Sequence, residues 1–278
     1  MEREVLLSIE NLTVRYGKDV VLHIGSPVLI EEGDRVWIIG SNGAGKSTLI
    51  RSILGLVNYQ GSIRTALPMD RIAVHMQSNE YTDSMATKHI MEAILQTKIS
   101  RNQRLQELIR YFEFEDCLRK RYSKLSGGQK QRFTIIMVMM QDAPLTFYDE
   151  VTSGLDFETR QKLVEHMVRW YRDKEDSLVI VSHYYEELEL LANKMLILDK
   201  GHVVDYGRKE ELFGRYCGRA VMITDNTPQN RELFKAYGQL AAPAHLLALS
   251  CESREKEQQL ADLFLQHDVN YKRSNSDI

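Results

Sequence analysis

A glycine-rich run that ends in Lys-Ser-Thr joins a short apolar segment to a stretch whose apolar residues recur at helical spacing. It extends from Gly40 to Thr48 as GSNGAGKST and fits the spacing GxxxxGK[ST]. Glycine backbones reach angles that side chains forbid, so the N–H groups of such a loop can curl around a phosphate at the start of a helix. We therefore expect a nucleoside triphosphate to be bound by Ser41, Asn42, Gly43, Ala44, Gly45, Lys46, Ser47 and Thr48.

Two side chains of this loop have chemical roles of their own. The ammonium of Lys46 can reach the β- and γ-phosphates, and the hydroxyl of Ser47 can ligate Mg²⁺. The context fits the motif, because Val36–Ile39 has the composition of a buried parallel strand and residues 48–56 have the spacing of a helix. The alternative is a chance glycine loop between a strand and a helix, which the complete pattern disfavours.

Two adjacent carboxylates follow a second apolar segment, Leu145–Tyr148. In P-loop enzymes an Asp at the end of such a strand holds Mg²⁺, and Asp149 takes that role here. Glu150 stands at the carboxyl edge of the expected sheet, where it can polarise an attacking water as general base. Taken alone, the pair has a plainer interpretation as a solvated strand end.

A second string, Leu125-Ser-Gly-Gly-Gln129, lies about eighty residues after the phosphate loop. With this string the chain resembles the ATP-binding cassette (ABC) ATPases, whose signature reads LSGGQ. In that family the signature works when it faces the phosphate loop of another subunit. The resemblance therefore implies that Ser126, Gly127, Gly128 and Gln129 bind the nucleotide of a partner subunit.

Further positions match the family in the order in which its motifs occur. The resemblance implies that Tyr16 stacks on adenine, that Gln77 senses Mg²⁺ and the attacking water, and that His183 contacts the γ-phosphate. Asp156, in the segment Ser153–Asp156, matches the D-loop, which crosses to the partner. Singly, these residues have plainer interpretations as a turn tyrosine, an uninformative glutamine and a structural histidine. Their order along the chain favours the family assignment.

Two residues depart from the family pattern, since Ser41 and Val151 stand where the family often has Pro. Neither touches a catalytic group, so we expect intact activity. His75, two residues before Gln77, is interpreted as a strand residue without a catalytic role.

Composition limits the classes of protein to which the chain can belong. It has 278 residues, with 36 Lys and Arg against 39 Asp and Glu, and a formal charge of −3. This balance gives no indication of nucleic-acid binding, and we expect no nucleic-acid partner. Apolar runs stay below the roughly 18 residues that cross a bilayer, and the start lacks a signal peptide. Cys117, Cys217 and Cys251 show no paired spacing, so neither a disulfide framework nor a zinc site is indicated.

The expected fold is an α/β P-loop ATPase core of the ABC type, with a mixed sheet flanked by helices. Alternation before residue 33 predicts an antiparallel β-subdomain, and helical spacing predicts a helical subdomain at about 84–140. We expect an ATPase domain over residues 1–214 and a small C-terminal α/β appendage over 215–278, which ends in a polar stretch from Arg273.

The function that the resemblance implies is that of an energy-coupling subunit. It would bind ATP and Mg²⁺, dimerise with a second ATPase subunit (as a homodimer or a heterodimer) and power a membrane permease on a separate chain. We expect it in the cytoplasm, on the inner face of the cell membrane, with export of drugs or peptides favoured over import. The alternatives are a soluble ABC ATPase that transports nothing and a P-loop kinase or GTPase, which leaves LSGGQ unexplained.

Overall fold

Two β-sheets organise the chain in the computed structural model, which describes residues 3–76, 81–182, 191–216, 220–240 and 242–275. The first sheet contains ten strands. They are β1 (Val5–Tyr16), β2 (Asp19–Ile24), β3 (Val28–Glu31), β4 (Arg35–Ile39), β5 (Tyr59–Thr65), β6 (Ile72–His75), β7 (Leu145–Asp149), β8 (Ser177–Val181), β9 (Lys194–Asp199) and β10 (His202–Arg208). The helices of this part are α1 (Lys46–Ile53), α2 (Thr87–Ile94), α3 (Gln103–Tyr111), α4 (Gly127–Met139), α5 (Phe157–Tyr171) and α6 (Lys209–Tyr216).

The sheet is mixed, as expected, and its strand order is β3-β1-β2-β10-β9-β4-β8-β7-β6, with β5 paired to β1. The consecutive strands β9, β4, β8, β7 and β6 of this order run parallel to one another. Every residue of β7 and β8 is buried, which explains their continuous apolar runs. Because parallel strands end at the same edge of a sheet, the segments after β4, β6, β7 and β8 emerge together.

Strands β1, β2, β3 and β5 form the antiparallel part, which confirms the expected β-subdomain. Residues of β1 alternate between the core and solvent, and the core face packs with α1. The hairpin between β1 and β2 places Tyr16 opposite Asp19. It therefore presents an aromatic ring at the tip of the hairpin.

A helical region, α2 to α4, stands between β6 and β7 in the chain, as the apolar spacing predicts. Its interior is built on three fully buried rings, Phe112, Phe114 and Phe133. Helix α4 is buried from Phe133 to Met139, so its second half is a core element while its start reaches the surface. His75 of β6 contacts this helix, because its Nε2 donates to Oε1 of Gln131 over 2.9 Å. Burial lowers the pKa of His75 to about 4, which fits a neutral core residue.

The second sheet has four antiparallel strands in the order β12-β13-β11-β14. Its elements are β11 (Ala220–Asp225), α7 (Pro228–Leu233), β12 (Gln239–Leu240), β13 (Leu246–Cys251), α8 (Arg254–Gln266) and β14 (Lys272–Asn275). This is the βαββαβ arrangement of ferredoxin-like folds. One face packs Met222 on Phe264, and the other packs Val221 on Phe213 of α6.

The end of this appendage was not assigned to a helix or strand from the sequence. In the structure, residues 272–275 pair with β11 as an edge strand. An exposed edge strand needs no apolar alternation, so its composition does not reveal it. Within the described ranges, no helix has the length and apolar character that a bilayer crossing requires.

Candidate nucleotide-binding site

The glycine loop between β4 and α1 has the close backbone approaches that its composition predicts. A Cβ on Gly40 would collide with the carbonyl oxygen of Leu198 in β9, so only glycine fits there. Gly45 precedes α1 with φ +99°, in the left-handed region that favours glycine. These two positions turn the chain from strand to helix and leave the start of α1 open to an anion.

Lys46 is the first residue of α1, and its side chain folds back over the loop. Its Nζ donates to the carbonyl oxygens of Gly40 at 2.8 Å and of Ser41 at 3.0 Å. Burial lowers the pKa of this ammonium, while Glu150 and Asp149 act in the opposite direction. The positive charge therefore lies at the rim of the loop, where a phosphate would face it.

Asp149, the last residue of β7, is the least satisfied polar group of the site. It is only 1% exposed, and neither carboxylate oxygen has a hydrogen-bond partner among the residues that the structure describes. Burial raises the pKa of this carboxyl, and the hydroxyl of Ser47 opposes that shift without forming a hydrogen bond of normal geometry. Such an unpaired buried carboxylate next to a hydroxyl fits a site for a hard cation.

The donor set also indicates which cation would fit. The described part of the chain contains no cluster of three or more His, Cys, Asp or Glu side chains suited to a metal ion. A cation at Asp149 would therefore complete its coordination from Ser47, phosphate oxygens and water. This is how Mg²⁺ is usually bound, since it retains waters and takes few protein ligands.

Glu150 turns out of the sheet directly after Asp149. Its φ of +50° is uncommon for a residue other than glycine, and its N–H donates to the carbonyl oxygen of Val181 over 2.9 Å. The carbonyl oxygen of Glu150 accepts from the N–H of Ser153. This tight turn directs the carboxylate of Glu150 into the same cleft as Lys46.

The cleft over the glycine loop has a volume of about 630 Å³. Tyr16 lies in its lining and is 46% exposed, as an adenine-stacking residue needs to be. The remaining lining residues are Val21, Asn42, Gly43, Gly45, Lys46, Ser47, Thr48, Glu150 and Ser153. Val21 was not expected from the sequence, and no local motif marks it. Ser153 begins the segment that matches the D-loop, but it was not expected in the cleft of its own chain.

Other residues expected at the loop contribute indirectly. Ala44 is buried in the core beside Leu49. Ser41 contributes its backbone carbonyl to Lys46 rather than lining the cleft. Gln77 and His183 lie outside the described residues, so their roles stay predictions. The strands that precede them, β6 and β8, lie on either side of β7 in the sheet.

The signature forms the exposed start of α4. The N–H of Gln129 donates to Oγ of Ser126, and the N–H of Ser126 donates to Oε1 of Gln129, which makes a reciprocal capping box. Of the described residues, none from Ser126 to Gln129 lines the cleft. Asp156 is likewise outside it and caps α5 through the N–H of Thr159. One chain thus holds the phosphate loop and the signature at separate places.

Comparison with known proteins finds matches to ATP-binding proteins of ABC transporters. Residues 27–153 match the family model described as "ABC transporter". The methionine import ATP-binding protein MetN of Corynebacterium glutamicum is 27% identical over 237 residues, which are 76% of this chain and 66% of that protein. The linearmycin resistance ATP-binding protein LnrL of Bacillus subtilis is 28% identical over 231 residues, covering 78% of this chain and 74% of LnrL.

Solved structures agree on the fold. The dimeric post-hydrolysis structure of the ATP-binding cassette MJ0796, bound to ADP and Pi, aligns with a TM-score of 0.63 at 22% identity. The alignment covers 73% of this chain and 98% of that one. The chain therefore carries an ATP-binding domain of the ATP-binding cassette (ABC) transporter type, and its fold is that of ABC cassettes.

Proposed function

We propose that the chain is the ATP-hydrolysing subunit of a transporter and that it works as one half of an ATP-closed dimer. The observation that carries this proposal is the separation of its two phosphate-facing elements. Its cleft contains the glycine loop and Glu150, while the signature lies at the exposed start of α4. A second subunit placed with its signature over this cleft completes the site, and the reverse contact completes the partner's site.

The residues of the cleft divide the work of binding. Tyr16 stacks on the base, Lys46 exchanges its two carbonyl contacts for phosphate oxygens, and the backbone N–H groups of the loop surround the β-phosphate. Ser47 and Asp149 hold Mg²⁺, which supplies charge neutralisation of the phosphates when bound. The buried carboxylate of Asp149 gains there a partner, which it lacks among the described residues.

Hydrolysis needs an oriented water and a place for its proton. Glu150 directs its carboxylate into the cleft and accepts that proton as general base. Lys46 stabilises the negative charge that develops on the transferred phosphoryl group. We assign Gln77 and His183 to orienting this water and contacting the γ-phosphate, on the strength of the family resemblance.

The trans elements act on the partner's nucleotide. Ser126 and the backbone of Gly127 and Gly128, at the start of α4, face the γ-phosphate of the opposing subunit. Gln129 supports them through the capping box, and Asp156 crosses to the partner with the segment before α5. Closure also excludes water from the site, which strengthens the electrostatic contacts inside it.

The permease and the direction of transport belong to the same proposal. We propose a separate membrane permease that holds the chain at the inner face of the membrane, and export of drugs or peptides as the direction. Resemblance of the segments after Gln77 and Ser182 to single-cassette exporters supports export, and so does the similarity to the linearmycin resistance protein LnrL. The name of MetN points to import, so cargo-dependent ATPase stimulation from one side of a reconstituted membrane is the test of direction.

Residues 215–278 form the appendage that we propose as a separate structural unit. Phe213 of α6 packs on its sheet beside Val221 and Ile223, which attaches it to the ATPase domain.

The decisive experiment is the Glu150→Gln variant with Mg²⁺ and ATP. Without the general base, we expect ATP binding to persist, turnover to fall by about a hundredfold or more, and a stable dimer to form. Size-exclusion chromatography with light scattering measures the dimer, with the nucleotide-free variant as the control. Unchanged hydrolysis would remove Glu150 as the base. If the variant stays monomeric both alone and with any co-expressed cassette subunit, the dimeric site is refuted. If the protein does not co-purify with a membrane protein, a non-transport ATPase is favoured.

A further inference from the structure

The two segments assigned to the partner's nucleotide meet in this chain at Gly128, whose nearest neighbour is Thr159 in the first turn of α5. A Cβ placed on Gly128 would lie 2.6 Å from Cγ2 of Thr159, which is closer than real Cβ contacts. Leu155 lies farther from this added Cβ, with its Cδ2 at 4.0 Å. The methyl of Thr159 therefore occupies the space that any side chain at residue 128 would need.

The other branch of Thr159 holds the D-loop. Its hydroxyl donates to Oδ2 of Asp156 over 2.7 Å, and its N–H donates to Oδ1 over 3.0 Å. Both bonds hold the carboxylate of Asp156 over the start of α5, and they lower its pKa. Thr159 thus connects the last residue of the D-loop to the backbone of the signature.

We propose that Thr159 is a positioning residue that fixes the signature and the D-loop as one unit, and that Gly128 has to be glycine because the Thr159 methyl fills the place of its side chain. The proposal deepens the proposed function, because the unit acts on the nucleotide of the partner. Thr159 itself touches neither the nucleotide nor the cleft of its own chain.

The neighbouring glycine provides the contrast. A Cβ on Gly127 would have Cδ2 of Leu155 as its nearest described neighbour outside the helix backbone, at 4.0 Å, which is ordinary contact. The usual explanation for such glycines is close approach of the backbone to a phosphate. For Gly128 the geometry indicates an obstacle within the same chain, because the missing side chain would be directed into α5.

A pair of substitutions separates these two explanations. Gly128→Ala should lower the kcat of ATP hydrolysis by at least about tenfold while the monomer binds Mg²⁺-ATP with unchanged affinity, because the altered segment serves the partner's site. Gly128→Ala combined with Thr159→Ser removes Cγ2 and keeps the hydroxyl. We expect the kcat of this double variant to recover to within about threefold of the kcat of Thr159→Ser alone. A double variant as inactive as Gly128→Ala would overturn the proposal.

Two matched variants test the specificity of the contact. Thr159→Ser should not rescue Gly127→Ala, since that methyl meets no obstacle from Thr159. Equal rescue of both glycine variants would show a general effect of Thr159→Ser and contradict the steric contact. Thr159→Val keeps the methyl and the backbone N–H bond to Asp156 but loses the hydroxyl bond to Oδ2, so it should lower kcat several-fold at an unchanged KM for ATP. Wild-type kcat in Thr159→Val would contradict the D-loop half of the proposal.

Thermal melting of the nucleotide-free protein tests the contact independently of activity. Gly128→Ala should lower the melting temperature, and adding Thr159→Ser should raise it again, whether or not the protein dimerises. If the thermal coupling is observed but the wild-type protein does not hydrolyse ATP or does not dimerise with ATP, only the proposed function is contradicted. Absence of the thermal coupling would count against the role of Thr159.

Discussion

Asp149→Asn is expected to stabilise the nucleotide-free protein while it weakens the response to Mg²⁺-ATP. The substitution keeps the size of the side chain and removes a charge from a site that is 1% exposed. Burial is the largest influence on the pKa of Asp149 and raises it, and the Ser47 hydroxyl together with the charges of Arg51 and Lys46 offsets only part of this effect. A carboxyl whose pKa is raised in the folded state costs stability when it is ionised, so the neutral amide should relieve that cost.

The size of the gain follows from the two unpaired oxygens. A buried polar group without a hydrogen-bond partner costs about 1–3 kcal/mol, and more when it is charged, but the amide of Asn has its own bonds to satisfy. We therefore expect a net gain of about 1–2 kcal/mol, or roughly 2–6 °C in melting temperature for a chain of this size. Wild-type protein at a hundredfold excess of Mg²⁺-ATP over its Kd should gain about 2.7 kcal/mol by binding.

The assay is thermal unfolding of both proteins, with and without Mg²⁺-ATP. Without nucleotide the variant should melt above the wild type, and with Mg²⁺-ATP this order should reverse. Without nucleotide, the difference in melting temperature between the variant and the wild type should also shrink as the pH falls from 7 into the acid range. The wild-type carboxyl then becomes protonated and no longer destabilises the fold as a buried charge. Glu150→Gln is the matched control, since its carboxylate lies in the open cleft and its removal should shift the nucleotide-free melting temperature less.

One result would refute this reasoning outright: a nucleotide-free Asp149→Asn protein that melts at or below the wild-type temperature. It would mean that the carboxylate has a stabilising partner, and the Mg²⁺ site inferred from its unpaired oxygens would lose its basis. Mg²⁺-ATP stabilisation of the variant equal to that of the wild type would remove Asp149 from metal binding.

Three further substitutions test other parts of the site. Lys46→Ala should lose at least about tenfold in ATP affinity by calorimetry, because a charge-assisted phosphate contact disappears; retained tight binding would contradict its role. Gly40→Ala should destabilise the fold by about 1–3 kcal/mol in denaturant unfolding, since its Cβ meets the Leu198 carbonyl. Gly55→Ala, at φ +68° with open space around it, is the control and should cost only about 1 kcal/mol. Ser126→Arg should leave monomer ATP binding unchanged and block hydrolysis, whereas Ser126→Thr keeps the helix cap and should remain active; normal turnover of the Arg variant would argue against a cross-subunit site.

Local patterns predicted most of the ATPase domain. The strand, glycine loop and helix around Lys46, the antiparallel strands before residue 33 and the helices between β6 and β7 all occur where spacing indicates them. Such elements are readable because burial on one face imposes a period of two or of about 3.6 residues on the chain. The edge strand β14 cannot be identified from its polar composition, because an exposed edge strand tolerates polar residues.

The candidate site was predictable as a set of residues but not as an arrangement. Its motifs identified Lys46, Asp149 and Glu150, and the structure brings Lys46 and Glu150 to one cleft. Val21 carries no motif, because it joins the cleft through packing of β2 against the distant glycine loop. Ser153 opens the D-loop segment and reaches the cleft through the turn after Glu150.

By itself, the sequence determined the type of ATP-binding domain and predicted the chemistry of the phosphate loop and the roles of its two carboxylates, because these depend on residue types at fixed short spacing. Only the tertiary structure decided that Asp149 is buried with no hydrogen-bond partner among the described residues, that the signature starts a helix outside its own cleft, and that Thr159 fills the place of a side chain at Gly128. These facts depend on which distant segments meet, and that is set by the packing of the whole core rather than by any local pattern.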